Sequence, residues 1–225
     1  MSIWGKSRPN QWFESYCTNC DEAAQNFKNV SLLANILIRS SQIQFNIPSF
    51  DICWGEPCRF LAALAEITTP NLIVDIGTSC GGSAKAFLDF SPKKANVVTF
   101  DVMPWNTYTE TYLKETDFFS GRLIQHVEDL SCTPVFEKHQ NLLALADLIY
   151  CDAPKDGVFE YTFLDKLSKV KMNNKQRYLV LDDIRFKNMA ALWRDIASPK
   201  FDATSFGHWS GTGLVDISEG LKLKV

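Results

Sequence analysis

The stretch "DLIYCDAPKDG" (147–157) places Asp152 at the end of an apolar run and Lys155 three residues later. A second apolar run, "YLVLDD", ends on Asp182 and Asp183. An unpaired carboxylate ending a strand buried on both faces is costly, so three of them with a lysine call for a chemical reason. Three carboxylates, with water and substrate completing the shell, suit Mg²⁺ or another hard divalent cation. The plainer alternative is that each aspartate caps the helix that follows, and Asp183 suits that role best. Lys155 would point over the same rim. Beside a bound cation and partly desolvated, a lysine has a lowered pKa and can act as a base.

A second group of residues reads as a nucleoside site. "VDIGTSCGGSA" (74–84) turns a strand into a helix through Gly77, Gly81 and Gly82. Glycines there permit positive φ and close approach of backbone to a ligand. The loop is not the dinucleotide fingerprint, because Ser79 stands where the glycine that admits a pyrophosphate belongs. Asp75 on the same strand repels phosphate and favours a cation. Asp101, followed by Val102, ends the next strand and can accept hydrogen bonds from ribose hydroxyls; Asp129 ends a third and can receive an adenine amino group. Asp75, Asp101 and Asp129 suit a positively charged nucleoside without phosphate, and Gly77, Ser79, Gly81, Ser83 and Val102 are the further cofactor-binding candidates. S-adenosylmethionine is such a nucleoside.

These residues need a scaffold that gathers strand ends on one rim. Strand patterns occur at "NLIVDIG", "ANVVTFD", "GRLIQHVED", "ALADLIYCDA" and "QRYLVLDDI". Helical patterns occur at "EPCRFLAALAEI", "GGSAKAFLDF", "YTETYLKETDFF", "VFEYTFLDKLSKV" and "KNMAALWRDIAS". Alternating strands and helices imply a parallel sheet covered on both faces. The C-terminal stretch "KFDATSFGHWSGTGLVDISEG" gives two more strands with no helix between them, as in an antiparallel hairpin. The expected fold is α/β: a Rossmann-like, doubly wound, seven-stranded and mostly parallel sheet. Residues 1–55 read as an N-terminal helical cap, and 56–225 as the S-adenosylmethionine-binding domain. Ligands of such sheets bind beyond the carboxyl ends of the strands, where the strand order reverses.

The segment "DLIYCDAPKDG" resembles the D-x-x-K-D stretch of the catechol and caffeoyl-CoA O-methyltransferases, cation-dependent enzymes of the class I methyltransferase fold. The resemblance implies Asp152 as a metal ligand and Lys155 as the catalytic base. The family's Asp-Asn pair lies over Asp182 and Asp183, with Asp183 in place of Asn. Such an Asp-Asp pair also looks like bacterial O-methyltransferases acting on sugar or polyketide hydroxyls. "VDIGTSCGGSA" is similar to the family's first motif at Gly77, Gly81 and Ser83, and Asp101 matches its ribose-binding acid. By order and spacing of motifs the similarity runs over roughly residues 56–217. It implies S-adenosylmethionine and Mg²⁺ (or another divalent cation) as cofactors. The expected acceptor is a hydroxyl of a small molecule, of vicinal-diol or catechol type.

Composition narrows the rivals. The chain has 225 residues, with 23 Lys+Arg against 26 Asp+Glu, a net charge of −3. A nucleic-acid binder normally shows a basic face, so no nucleic-acid partner is expected. "CDAPK" slightly resembles the Asp-Pro-Pro-aromatic motif of nucleic-acid methyltransferases, but Lys155 occupies the place of the stacking aromatic. A nicotinamide oxidoreductase is disfavoured by Ser79 and Asp75, and a non-catalytic S-adenosylmethionine-binding protein is the third rival. No secretory or membrane-spanning pattern is visible, and seven scattered cysteines read as reduced thiols, so a cytoplasmic protein with no membrane partner is expected. Cys17 and Cys20, with Cys53 and Cys58, form half of a zinc-knuckle pattern. Trp105, His208 and Trp209 are candidates for the acceptor pocket. The N-terminal cap would close that pocket or form a homodimer contact.

Overall fold

The computed structural model describes residues 29–45, 55–172, 175–206 and 209–224. The first helix, α1 (Val30–Ser40), begins where the Asn29 side chain accepts the Leu32 N–H at 3.0 Å. It buries Leu33 and Ile36 in the same apolar cluster as α2 (Gly55–Thr68), so this helix packs on the main core. Five parallel strands follow with their helices: β1 (Leu72–Ile76), α3 (Gly82–Phe90), β2 (Asn96–Asp101), α4 (Glu115–Phe118), β3 (Leu123–Val127), α5 (Thr133–Leu145), β4 (Leu148–Cys151), α6 (Phe159–Ser168), β5 (Tyr178–Asp182) and α7 (Lys187–Asp195). The chain closes with β6 (Lys200–Asp202) and β7 (Thr212–Asp216).

The sheet order is β3-β2-β1-β4-β5-β7-β6, with β7 antiparallel to both of its neighbours. This is the Rossmann-like mixed sheet expected from the pattern. The order reverses between β1 and β4, which opens a crevice at their carboxyl ends. Alternation along the strands sorts the core into two layers. Ile73, Tyr150 and Val180 face the side of α1, α2 and α3; Val74, Ile76, Ile149 and Leu181 face the side of α5, α6 and α7. Because Asp75, Asp152 and Asp182 share the parity of the first set, strand geometry alone puts them on one side.

Two elements depart from the sequence reading. The segment 108–119 is helical only at Glu115–Phe118. Its earlier part runs along the glycine loop, where Tyr112 N–H and the Thr111 hydroxyl both donate to the Cys80 carbonyl. Tertiary hydrogen bonds replace those an isolated helix would make. Helix α5 is the converse, a helix the pattern did not announce. It buries only Phe136, His139 and Leu143, too thin a stripe to read against its polar surroundings.

Candidate functional site

The glycine loop joins β1 to α3 by backbone that few side chains permit. Gly77 has φ +99°, and a Cβ there would lie 2.0 Å from the Asp152 carbonyl oxygen. The space a side chain would need at Gly77 is therefore taken by backbone just past the end of β4. Gly81 has φ +86° and packs on Leu113. Ser79 adopts φ +45° without being glycine. Its N–H donates to Asp101 Oδ2 at 2.8 Å, while Met103 N–H donates to Oδ1 at 2.9 Å. Asp101 thus ties the loop to the end of β2. Beside it Val102 is 65% exposed, an apolar side chain left open at the rim where an adenosine would lie.

Asp75 is placed differently from the sequence reading. It is fully buried, one residue short of the strand's end, and accepts the Thr99 hydroxyl at 2.7 Å. Its other carboxylate oxygen has no hydrogen-bond partner. Burial outweighs the Thr99 and Ser83 hydroxyls and pushes its pKa up to about 7. Asp75 therefore underlies the loop and does not meet the rim. Asp129 Oδ1 accepts the Ser131 N–H at 2.7 Å in the turn before α5.

The acidic half is built by β4 and β5. Cys151 pairs with Leu181, so Asp152 and Asp182 follow at one level. Asp152, Asp182 and Asp183 offer oxygens within 4.8 Å of one another. Lys155 Nζ lies among them, paired to Asp152, 3.2 Å from Asp183 Oδ2 and 2.9 Å from the Ala153 carbonyl. Burial and the neighbouring Asp182 push Asp152 up to about 6 against the pull of Lys155. Burial alone would lower the Lys155 ammonium, but Asp152, with Asp182 and Asp183 behind it, outweighs burial and raises its pKa. Held by these carboxylates, Lys155 keeps its charge, whereas the sequence reading expected a lowered pKa beside a metal.

Strain marks the same place. Among the described residues four non-glycines have positive φ, and three of them are Ser79, Lys155 and Asp183. Such conformations persist where surrounding contacts impose them. For Lys155 that contact is Glu160, which pattern reading missed. Glu160 is fully buried and accepts the Lys155 N–H at 2.7 Å and the Gly157 N–H at 3.2 Å. The available signal was an acid in the first turn of α6, a place usually explained by the helix dipole alone. Tyr150 was missed too; its buried hydroxyl donates to Asp152 Oδ2 at 3.5 Å.

The donor set fits a hard divalent cation, being all oxygen and carrying three negative charges against the single one of Lys155. A cation at Asp152, Asp182 and Asp183 would have to displace the ammonium from them. The loop 77–81 with Asp101 and Val102 fits a nucleoside, since backbone and an open apolar side chain face the crevice. Trp105 stacks on Phe118 with ring centroids 5.3 Å apart, and Trp209 is exposed. His208, Cys17, Cys20 and Cys53 lie outside the described residues; Cys58 is a buried free thiol on α2. Among the described residues no helix is long and apolar enough to cross a membrane.

Fold and crevice together define the Rossmann-like fold of S-adenosylmethionine-dependent methyltransferases, and comparison with solved structures bears this out. A methyltransferase of Podospora anserina, solved with SAH bound, aligns over 100% of both chains at 15% identity and a TM-score of 0.52. An O-methyltransferase of Bacillus cereus, also in complex with SAH, aligns over 83% of this chain and 90% of its own, again at 15% identity and 0.52. No family model and no curated protein matches the sequence.

Proposed function

We propose that this chain is an S-adenosylmethionine-dependent O-methyltransferase acting on a small-molecule hydroxyl of vicinal-diol or catechol type, assisted by a divalent cation. One observation carries the reading: Asp152, Asp182 and Asp183 converge around Lys155 beside a glycine loop, in a methyltransferase fold. The SAH bound in the two solved neighbours supports the choice of cofactor for this fold.

When bound, S-adenosylmethionine supplies a methyl group on a sulfonium, and a divalent cation lowers the pKa of a coordinated hydroxyl. The chain's own residues do the rest. Asp101, the loop 77–81 and Val102 would hold the nucleoside. Asp152, Asp182 and Asp183 would hold the cation at the acceptor side of the crevice. Lys155, set among Asp152 and Asp183, is the group that would take the hydroxyl proton. A second reading has an observation of its own: Lys155 already neutralises Asp152 and Asp183, which makes it their counter-ion alone.

The test is methyl transfer to a catechol with added Mg²⁺ or with excess chelator. Asp152→Ala and Asp182→Ala should lose cation binding and turnover, whereas Asp183→Asn should keep both, since an amide carbonyl is an adequate ligand. Full activity in chelator would reduce the carboxylates to supports.

A further inference from the structure

Away from the acidic rim, His126, Glu128 and His139 bring two imidazoles and a carboxylate together, with donor atoms within 4.8 Å of one another. His126 lies on β3, Glu128 just past its end, and His139 on α5. His139 Nε2 is 2.5 Å from Glu128 Oε2, and the two imidazole rings are 4.7 Å apart. Phe100 of β2 holds both rings, stacked on His126 at 5.1 Å and edge-on to His139 at 4.9 Å. His139 is buried while His126 and Glu128 are half-buried, so the cluster has an inner wall and an open side. None of the three belongs to the crevice residues described above.

A core would not ordinarily set two imidazoles side by side, because each disfavours the other's charge. Lys138 and His139 both pair with Glu128, so its carboxylate already sits against the imidazole with which it would share an ion.

We propose that His126, Glu128 and His139 form a binding site for a borderline transition-metal cation of the Zn²⁺ type, with water completing the shell. Two nitrogens and one oxygen suit such an ion and not Mg²⁺, which the all-oxygen rim would take. Bonds of about 2.0–2.1 Å in a tetrahedral shell require the His139–Glu128 contact to open and the widest pair to close. Both are side-chain rotations. Lys138 need only leave Glu128 Oε1, from a position 58% exposed. The ion would fasten the end of β3 to α5. Among the described residues β3 is an edge strand paired to β2, and Val127 lies opposite Asp101, so the brace would stand beside the nucleoside half of the crevice.

The experiment titrates Zn²⁺ into the full chain in excess Mg²⁺ and reads the coordination shell of the wild-type complex by X-ray absorption. A single tight ion with two imidazole nitrogens and light oxygen ligands is expected. His126→Gln and His139→Gln should each weaken Zn²⁺ by at least about tenfold, while Asp152→Asn with Asp182→Asn should leave it unchanged. The shell is read on the unaltered chain, so a poorly folding variant does not decide the matter. An oxygen-only shell, a sulfur shell, or no Zn²⁺ binding in excess Mg²⁺ would overturn the site.

Discussion

At the scale of single residues, the role of Lys155 turns on charge. Its ammonium is held by Asp152 and Asp183, and its backbone, at φ +60°, by Glu160. If Lys155 is the base, Lys155→Ala keeps cofactor binding but loses roughly 10²–10⁴ in single-turnover rate. Lys155→Arg is then nearly as damaging, because a guanidinium stays protonated. Rescue by Arg would make Lys155 a counter-ion. Asp75 yields a pH prediction. Its folded pKa, about 7, lies above an unfolded value of about 3.9, so the folded state binds the extra proton between them. Its contribution is therefore favourable at acid pH and is lost as pH rises through 7, by up to about 4 kcal/mol. Asp75→Asn should remove that part of the slope, leaving Asp152 to supply the remainder. Urea unfolding at pH 5 and pH 8 measures it; an unchanged difference between the two pH values would rule Asp75 out as the source. Asp152, Asp182 and Lys155 were legible because a charge at a strand end stands out from an apolar run. The depth of Asp75 was not, since alternation gives the face a residue takes but not how far from the rim it lies.

At the scale of elements, the glycine loop is structural before it is a ligand cradle. A Cβ at Gly77 would meet the Asp152 carbonyl at 2.0 Å, and that backbone belongs to the segment that also carries the acidic site. Gly77→Ala should therefore destabilise the fold by about 3 kcal/mol or more, through overlap with backbone and the positive φ together. Gly81→Ala should cost less, because the Leu113 side chain can rotate away. Thermal unfolding of the two variants checks the order; a Gly77→Ala protein as stable as wild type would refute the close approach. The β-strands and the helices α2, α3, α6 and α7 were legible because their apolar periods are long or flanked by glycine. The region 108–119 was misread, since its hydrogen bonds go to Cys80, far away in sequence. Helix α5 was passed over because two of its inward positions support an aromatic and histidine cluster, which leaves little apolar period to find.

At the scale of the molecule, the reversal of strand order between β1 and β4 places two chemistries side by side. The β1 and β2 ends present backbone, Asp101 and Val102; the β4 and β5 ends present carboxylates and Lys155. One crevice can then hold a nucleoside against an acceptor only if both halves belong to one folded unit, which the shared apolar layer beneath β1, β4 and β5 ensures. Ligand binding should therefore stabilise the whole unit and not one loop. S-adenosylhomocysteine at about 100 times its dissociation constant adds about 2.7 kcal/mol by mass action. For a chain of this length that raises Tm by roughly 5–10 °C in a single cooperative transition. Asp101→Ala removes the acceptor of the Ser79 N–H and, on the proposed reading, of the ribose, so it should weaken the nucleoside by about 1–3 kcal/mol and shrink the shift at equal ligand. Asp183→Asn lies on the other half of the crevice and should leave the shift as it is. Scanning calorimetry of the three proteins with and without ligand separates the halves. Equal shifts in wild type and Asp101→Ala would place the nucleoside elsewhere, and no shift in any of them would leave a methyltransferase fold without its cofactor site.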